Sequence, residues 1–377
     1  MAPPGVDKLA ESCPLNVRFV RITRAAPRKR VRRQGPLLPL VILVVTLRLF
    51  AQAPVGGGLP FRPLGTCASG GDVRWQSLAP AGDRDTLDRW CDSVGPPLVA
   101  AGHPLSEPAR TLVLATWNVH VGNGDVERFL QSITIGPRLR APYGVVLLLQ
   151  EVLRISPDVP PRYPDRMRPP RGIRAHGERQ DIAALTRRLG LHAVYIPSMR
   201  NGRLFTSDAR EDRGNAILST WPLDDVRALE LPFGQQRHVA VTARIAAAGV
   251  PPLRVMSVHL DPSGHRTAEA AALAAYVRDL TPSDETLVIG GDLNTWFGRR
   301  EQALHLLTNV IPEENCGHEK TNSWPWRLQA PLGWWRGRLD YLFSTLAADE
   351  MRACTTLPEQ FGSDHRPVIM TIEVSDR

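Results

Sequence analysis

Lysine is almost missing from this chain of 377 residues. Lys8, Lys29 and Lys320 are the whole complement, and arginine supplies the rest of the 46 basic groups. That bias points to a GC-rich genome and carries no chemistry. No Cys-x-x-Cys spacing occurs among the five cysteines, so nothing suggests a zinc site. There is no glycine-rich phosphate loop and no internal repeat, which removes P-loop nucleotide binding and solenoid architectures. No uncharged apolar run reaches the ~20 residues that a membrane-spanning helix wants. What remains is ordinary for a globular protein: 43% hydrophobic and 22% charged residues, in a chain long enough for one large domain or two smaller ones.

Charge is also thin over most of the chain. The formal net charge of +8 invites a nucleic-acid reading, but residues 1–33 hold nine basic groups against two acids and so carry +7 of it. Residues 34–377 carry only +1, and the bulk of the chain is not a basic domain. The basic leader (1–35) runs into an apolar stretch (36–53) that is broken at Arg48 and ends in Ala51-Gln52-Ala53. That layout matches a secretory signal. An uncleaved anchor with its amino terminus inside is the second reading, and a twin-arginine signal at Arg32-Arg33 a weaker third. A mis-set start codon is the bland alternative. The expectation is an extracytoplasmic protein, secreted or held to the membrane through residues 36–53.

Beyond the leader four cysteines remain, Cys67, Cys91, Cys316 and Cys354. An even number fits two disulfides in an oxidising compartment. Of the three pairings, Cys67–Cys91 and Cys316–Cys354 join neighbours in sequence and are preferred; four buried thiols are the alternative. Residues 54–108 read as a linker and a small extension, with a short helix over 83–94. The main domain occupies 109–377. Within it, short apolar runs with strand character recur at 111–117, 144–149, 193–196, 215–219, 238–245, 253–259, 286–289, 339–344 and 367–374. Helix-like stretches cover 178–189 and 266–280, and 154–174 reads as a surface loop rich in Pro and Arg. Interleaved strands and helices make an α/β or α+β sandwich the natural fold class.

Polar residues cluster at the ends of those runs. Thr116-Trp-Asn-Val-His120 ends the first, Leu149-Gln-Glu-Val152 the second, Ser257-Val-His-Leu-Asp261 and Gly290-Gly-Asp-Leu-Asn294 two later ones. Arg338-Leu-Asp-Tyr341 opens a late strand, and Gly362-Ser-Asp-His-Arg-Pro367 precedes the last. Strand ends on one rim converge on a shared cleft, where loops carry function. Carboxylates and amides from Glu151, Asp292, Asp340, Asp364, Asn118 and Asn294 suit a hard cation such as Mg²⁺. His259 and His365 beside it could bind phosphate oxygens and move protons near neutral pH. These are the parts phosphate-ester hydrolysis needs.

The ordered set Trp-Asn, Gln-Glu, Ser-x-His-Leu, Gly-Asp-x-Asn, Arg-x-Asp-Tyr and Ser-Asp-His-x-Pro, spanning about Thr111 to Val374, resembles the endonuclease/exonuclease/phosphatase superfamily. The resemblance implies a four-layer sandwich, two mixed β-sheets face to face with helices outside. It implies a metal-dependent phosphoric ester hydrolase using Mg²⁺, with Mn²⁺ as the alternative. Glu151 would be the main metal ligand, with Asn118 beside it and Asp364 helping to position metal or histidine. Asp292 would align or deprotonate the attacking water, and Asn294 would hold the phosphate or a second metal. His259 and His365 would contact the phosphate, and Asp340 would orient His365. Asp212 is the candidate acid behind His259. His120 stands where some members carry a second metal-binding acid.

The substrate expected is a phosphate ester: a phospholipid headgroup, a small phosphoester or a nucleic acid. A nuclease acting on extracellular DNA or RNA is one alternative, and a catalytically inactive binding module with the same fold is another. A membrane-tethered adhesion or scaffold protein is a third. Asp340 could instead form a structural ion pair with Arg338. His120, His238 and His265 read as surface or packed histidines. Arg213 and Asn215 read equally as cleft residues or as a turn before a strand. The Trp324–Trp335 segment reads as packed tryptophans, with base stacking or lipid insertion as the functional alternatives.

Overall fold

The computed structural model describes residues 72–103, 109, 111–134, 143–164, 178–201, 210–245, 252–280, 285–311, 319–324, 335–346 and 351–373. The leader, the apolar stretch 36–53, most of the tryptophan-rich segment, Cys67 and Cys316 lie outside them. In chain order the elements are β1 (Arg74–Ser77), α1 (Arg84–Cys91), β2 (Leu98–Ala100), β3 (Thr111–Asn118), α2 (Val126–Thr134), β4 (Tyr143–Ile155), α3 (Ile182–Leu189), β5 (His192–Arg200), β6 (Glu211–Ser219) and β7 (Leu223–Glu230). There follow β8 (Val239–Ile245), β9 (Leu253–His259), α4 (Arg266–Leu280), β10 (Thr286–Asp292), α5 (Gln302–Thr308), β11 (Asn322–Trp324), β12 (Trp335–Gly337), β13 (Asp340–Ser344), β14 (Met351–Thr356) and β15 (Val368–Glu373).

These strands make two mixed sheets, in the orders β1-β7-β8-β9-β10-β13 and β14-β15-β3-β4-β6-β5-β2. Alternation along β3 explains how they stack. Leu112 and Leu114 point into a core shared with Val241, Val255, Val288 and Leu342 of the other sheet. Val113 and Ala115 point outward onto Phe129 of α2 and Ile182 of α3. On the far side, Met256 and Val258 of β9 meet Leu273 and Val277 of α4 and Leu304 of α5. A strand covered on both faces needs an unbroken apolar run, and β3 and β4 supply one. The result is the expected four-layer sandwich, with the central core between the sheets.

The structure extends several segments beyond their apolar runs. Arg154 and Ile155, read as the start of a surface loop, belong to β4, and Arg154 is buried. Residues 74–77 and 98–100, read as part of an extension, are strands: β1 pairs parallel with β7, and β2 pairs antiparallel with β5. β7, with its Leu-Asp-Asp-Val-Arg start, has too little apolar alternation to be read from sequence. Cys91 and Cys354 are each disulfide-bonded. The Cys67–Cys91 and Cys316–Cys354 pairings fall outside the described residues. No helix among the described residues is long and apolar enough to cross a membrane.

Candidate active site

Six strand ends meet on one rim around a cavity of about 580 Å³. Asn118, Glu151, His259, Asp292, Asn294, Asp364 and His365 all line it. Register explains the centre of the site. Asp292, the last residue of β10, is the Cα partner of His259 on β9 and of Asp340 on β13. Three motif residues more than thirty positions apart in sequence therefore share one row across the sheet.

Residues of the motifs that carry no reactive group hold this arrangement from behind. Gln150 Nε2 donates to Ser257 Oγ at 2.9 Å, and Ser257 Oγ donates to the Leu149 carbonyl at 3.0 Å, which ties β4 to β9 across the sandwich. Trp117 Nε1 donates to the His365 carbonyl at 3.1 Å. Ser363 Oγ donates to the Asn118 carbonyl at 2.6 Å and accepts from the His365 amide at 3.0 Å.

Glu151 sits where β4 bulges against β6, between Leu149 and Val152, and its φ is 51°. A bulge re-aims a side chain, and a left-handed glutamate costs energy that a functional role can justify. Its carboxylate takes part in no hydrogen bond among the described residues. Asn294 has φ 53°, and its Nδ2 donates to the Leu260 carbonyl at 2.8 Å. Asn118 Oδ1 accepts from the His120 amide at 2.9 Å, and its Nδ2 donates to Asp292 Oδ2 at 3.0 Å. Asp292 Oδ1 accepts from the Asn294 amide at 2.9 Å. Burial pushes Asp292 up to about 7 against the pull of His365, and nearby Asp340 adds to the rise.

The two histidines differ in charge. Burial drives His259 well below its ordinary 6.5, and the cations of His238, Arg213 and His365 push the same way. His365 is also buried, which alone would lower it, but the Asp340 and Asp292 carboxylates outweigh burial and it rises well above 6.5. Its Nδ1 lies 2.7 Å from Asp340 Oδ2, and Nε2 lies 3.7 Å from Asp292 Oδ2. The Asn322 side-chain amide reaches Nε2 at 2.7 Å. Asp340 is thus paired with His365, while Arg338 stacks on the Tyr341 ring, 4.4 Å from its centroid.

Asp212 does not stand behind His259. It is fully buried on the other face of β6, where it accepts from Arg154 Nε at 2.9 Å, Tyr195 Oη at 2.7 Å and the Gly95 amide at 2.9 Å. Successive strand residues point to opposite faces, so it is Arg213 that looks into the cleft. His238, read as a surface or packed histidine, is buried and also lines the cleft. His120 lines it too, with Nδ1 3.2 Å from Asp364 Oδ1. Asn322 carried no motif signal at all.

Two buried groups have the donor spacing a metal ion could use, Asp292–Asp340–His365 and His238–Asp261–Glu269. In the first, the imidazolium of His365 already links the carboxylates. Glu151 suits a cation better, because its carboxylate is free and its strained backbone aims it at the cleft beside Asn118 and Asp364.

The model of the Endonuclease/Exonuclease/phosphatase family matches residues 115–365, and the chain belongs to that family. Members of the family are typically hydrolases of phosphate esters, generally metal-dependent. The protein YbhP of Escherichia coli (strain K12) is 35% identical over 101 residues, 25% of this chain and 37% of YbhP. The chain thus spans little more than a third of that relative's length. A family protein from Leptotrichia buccalis C-1013-b superposes with a TM-score of 0.48 at 15% identity, covering 70% of this chain and 99% of that one. One from Beutenbergia cavernae DSM 12333 gives 0.46 at 18%, covering 71% and 72%.

Proposed function

We propose that the chain hydrolyses a phosphate ester with a divalent cation, Mg²⁺ first and Mn²⁺ as a substitute, and that it does so outside the cytoplasm. The observation that carries the reading is the convergence of Glu151, His259, Asp292, Asn294 and His365 on one cleft. Glu151, with Asn118 and Asp364, would hold the cation. When bound, the cation supplies charge neutralisation at the phosphoryl oxygens. Asp292, oriented by Asn118 Nδ2 and the Asn294 amide, takes the proton of the attacking water. His365, kept cationic by Asp340, donates from Nε2 to a phosphoryl oxygen as negative charge develops there. His259, kept neutral, borders the same phosphate without adding charge repulsion toward His365. Two like groups driven to opposite protonation states are a signature of divided acid–base roles. The leader and the disulfide-bonded Cys91 and Cys354 support the extracytoplasmic placement.

The test is hydrolysis of plasmid DNA, RNA, sphingomyelin, inositol phosphates and bis-p-nitrophenyl phosphate with Mg²⁺, Mn²⁺ or chelator. Metal-dependent turnover that Glu151→Ala and His365→Ala both abolish supports the reading. A folded wild type with no turnover on any of these in added Mg²⁺ or Mn²⁺, and no calorimetric Mg²⁺ binding, would favour the inactive binding module.

A further inference from the structure

Arg213 lies on β6 with only 6% of its surface exposed and lines the cleft. Its Nη2 touches Met199 Sδ at 3.1 Å, and its Nη1 has no partner. No carboxylate lies within ion-pair distance of it among the described residues. Two other deeply buried arginines are paired with carboxylates: Arg154 with Asp212, and Arg237 Nη2 with Glu230 at 2.7 Å. A guanidinium withdrawn from water without an anion is costly, and this fold neutralises Arg154 and Arg237 but gives Arg213 no carboxylate among the described residues.

A second cation flanks it. His238 Nδ1 lies 2.8 Å from Glu269 Oε1, and Glu269 Oε2 accepts from the Asp261 amide at 2.6 Å. Burial alone would lower His238, but the Glu269 carboxylate outweighs it and raises the ring above its ordinary value. The clamp uses Nδ1 and leaves Nε2 unengaged in a residue that lines the cleft. The His238 and His259 ring centroids are 5.6 Å apart, and both Arg213 and His238 depress His259, so all three groups share one region of the cavity. The cleft is therefore polarised. Glu151 and Asp364 line one part of the cleft, and another part holds Arg213, which no carboxylate pairs among the described residues, and His238, whose Nδ1 is paired with Glu269. A planar guanidinium and an imidazolium set around one space suit a tetrahedral oxyanion, which offers an oxygen to each.

We infer that Arg213 and His238 form an anion subsite that takes a phosphate group of the substrate other than the one hydrolysed. The inference rests on the reading of the chain as a phosphate-ester hydrolase, and it narrows the substrate to esters carrying a second phosphate.

The first test separates the subsite from the chemistry. The full chain, stripped of metal with chelator, is titrated with inorganic phosphate by calorimetry. Saturable binding is expected in wild type and in Glu151→Ala. Arg213→Gln should weaken it at least tenfold, with Arg213→Lys between the two. No phosphate binding in wild type, or equal binding in Arg213→Gln, overturns the subsite. Thermal midpoints guard against a merely structural role: Arg213→Met should raise the midpoint, because it removes an uncompensated buried charge, and a lowered midpoint counts against the proposal. The second test asks where the phosphate comes from. Wild type should show a lower KM for a dinucleotide bearing a terminal 5′-phosphate than for the same dinucleotide without it, and Arg213→Gln should erase the difference. Equal KM values with phosphate binding intact would assign the subsite to free phosphate and overturn the substrate claim. No turnover on either dinucleotide would sink the hydrolytic reading while calorimetry still decides the subsite.

Discussion

Asp340 Oδ2 sits 2.7 Å from His365 Nδ1, and the Cα of Asp340 is the cross-strand partner of Asp292, toward which the far nitrogen of the same ring is turned. One imidazole thus bridges two buried carboxylates. That is why it stays charged, and the Asn322 side-chain amide nitrogen borders its Nε2 at 2.7 Å.

Asp340→Asn should cut kcat by about a hundredfold or more, within the range general acid–base groups contribute, with little change in KM. The pH profile gives the sharper reading. The carboxylate raises His365, so activity that needs the imidazolium persists below that raised value and falls above it. In Asp340→Asn the alkaline limb should move to lower pH. An unmoved limb would mean that Asp340 acts on something other than the charge of His365.

Glu151→Ala should weaken Mg²⁺ binding at least tenfold by calorimetry, because it removes the one cleft carboxylate with no other partner among the described residues. Excess Mn²⁺ should restore part of the turnover if the loss is one of affinity. Loss of turnover with Mg²⁺ affinity intact would move the metal site elsewhere in the cleft.

Glu269→Gln should destabilise the fold by about 3 kcal/mol, the order expected when one partner of a buried ion pair is removed. The pair raises His238 in the folded protein above its ordinary 6.5. Its contribution is therefore whole below pH 6.5 and is lost as pH rises through the folded value. Chemical denaturation of the two proteins should show a stability gap that is widest near pH 6 and narrows toward pH 9.

Gln150→Ala should cost about 1–3 kcal/mol, because Ser257 Oγ loses its donor in a dry interface between the sheets. Activity should fall in the folded protein as well, since β4 and β9 carry Glu151 and His259. A variant with wild-type stability would show that the inter-sheet bond is dispensable.

Much of this site is legible in the amino-acid sequence, for a local reason. A strand buried on both faces turns polar where it meets the cleft, so Asn118, His259 and Asp292 end strands next to apolar runs, Glu151 marks the bulge within β4, and His365 lies just before β15. α4 is equally plain from its alanine-rich helical pattern. Edge strands are not, because β1, β2 and β7 are short or half polar and exist only through their pairing. The Asp212 expectation fails by a single residue. Alternation assigns Asp212 and Arg213 to opposite faces, but which face looks into the cleft depends on how β6 registers against β4 and β5.

Order and spacing of six short motifs are enough, from the chain alone, to indicate the family. Charge is decided by tertiary structure. His259 and His365 look alike in sequence, yet one is discharged and the other held protonated. Arg154 and Arg213 look alike too, yet one is neutralised by Asp212 and the other faces an open cleft. A side chain's ionisation depends on burial and on carboxylates brought from distant segments, such as Asp340 to His365 and Glu269 to His238, and those distances exist only in the folded molecule.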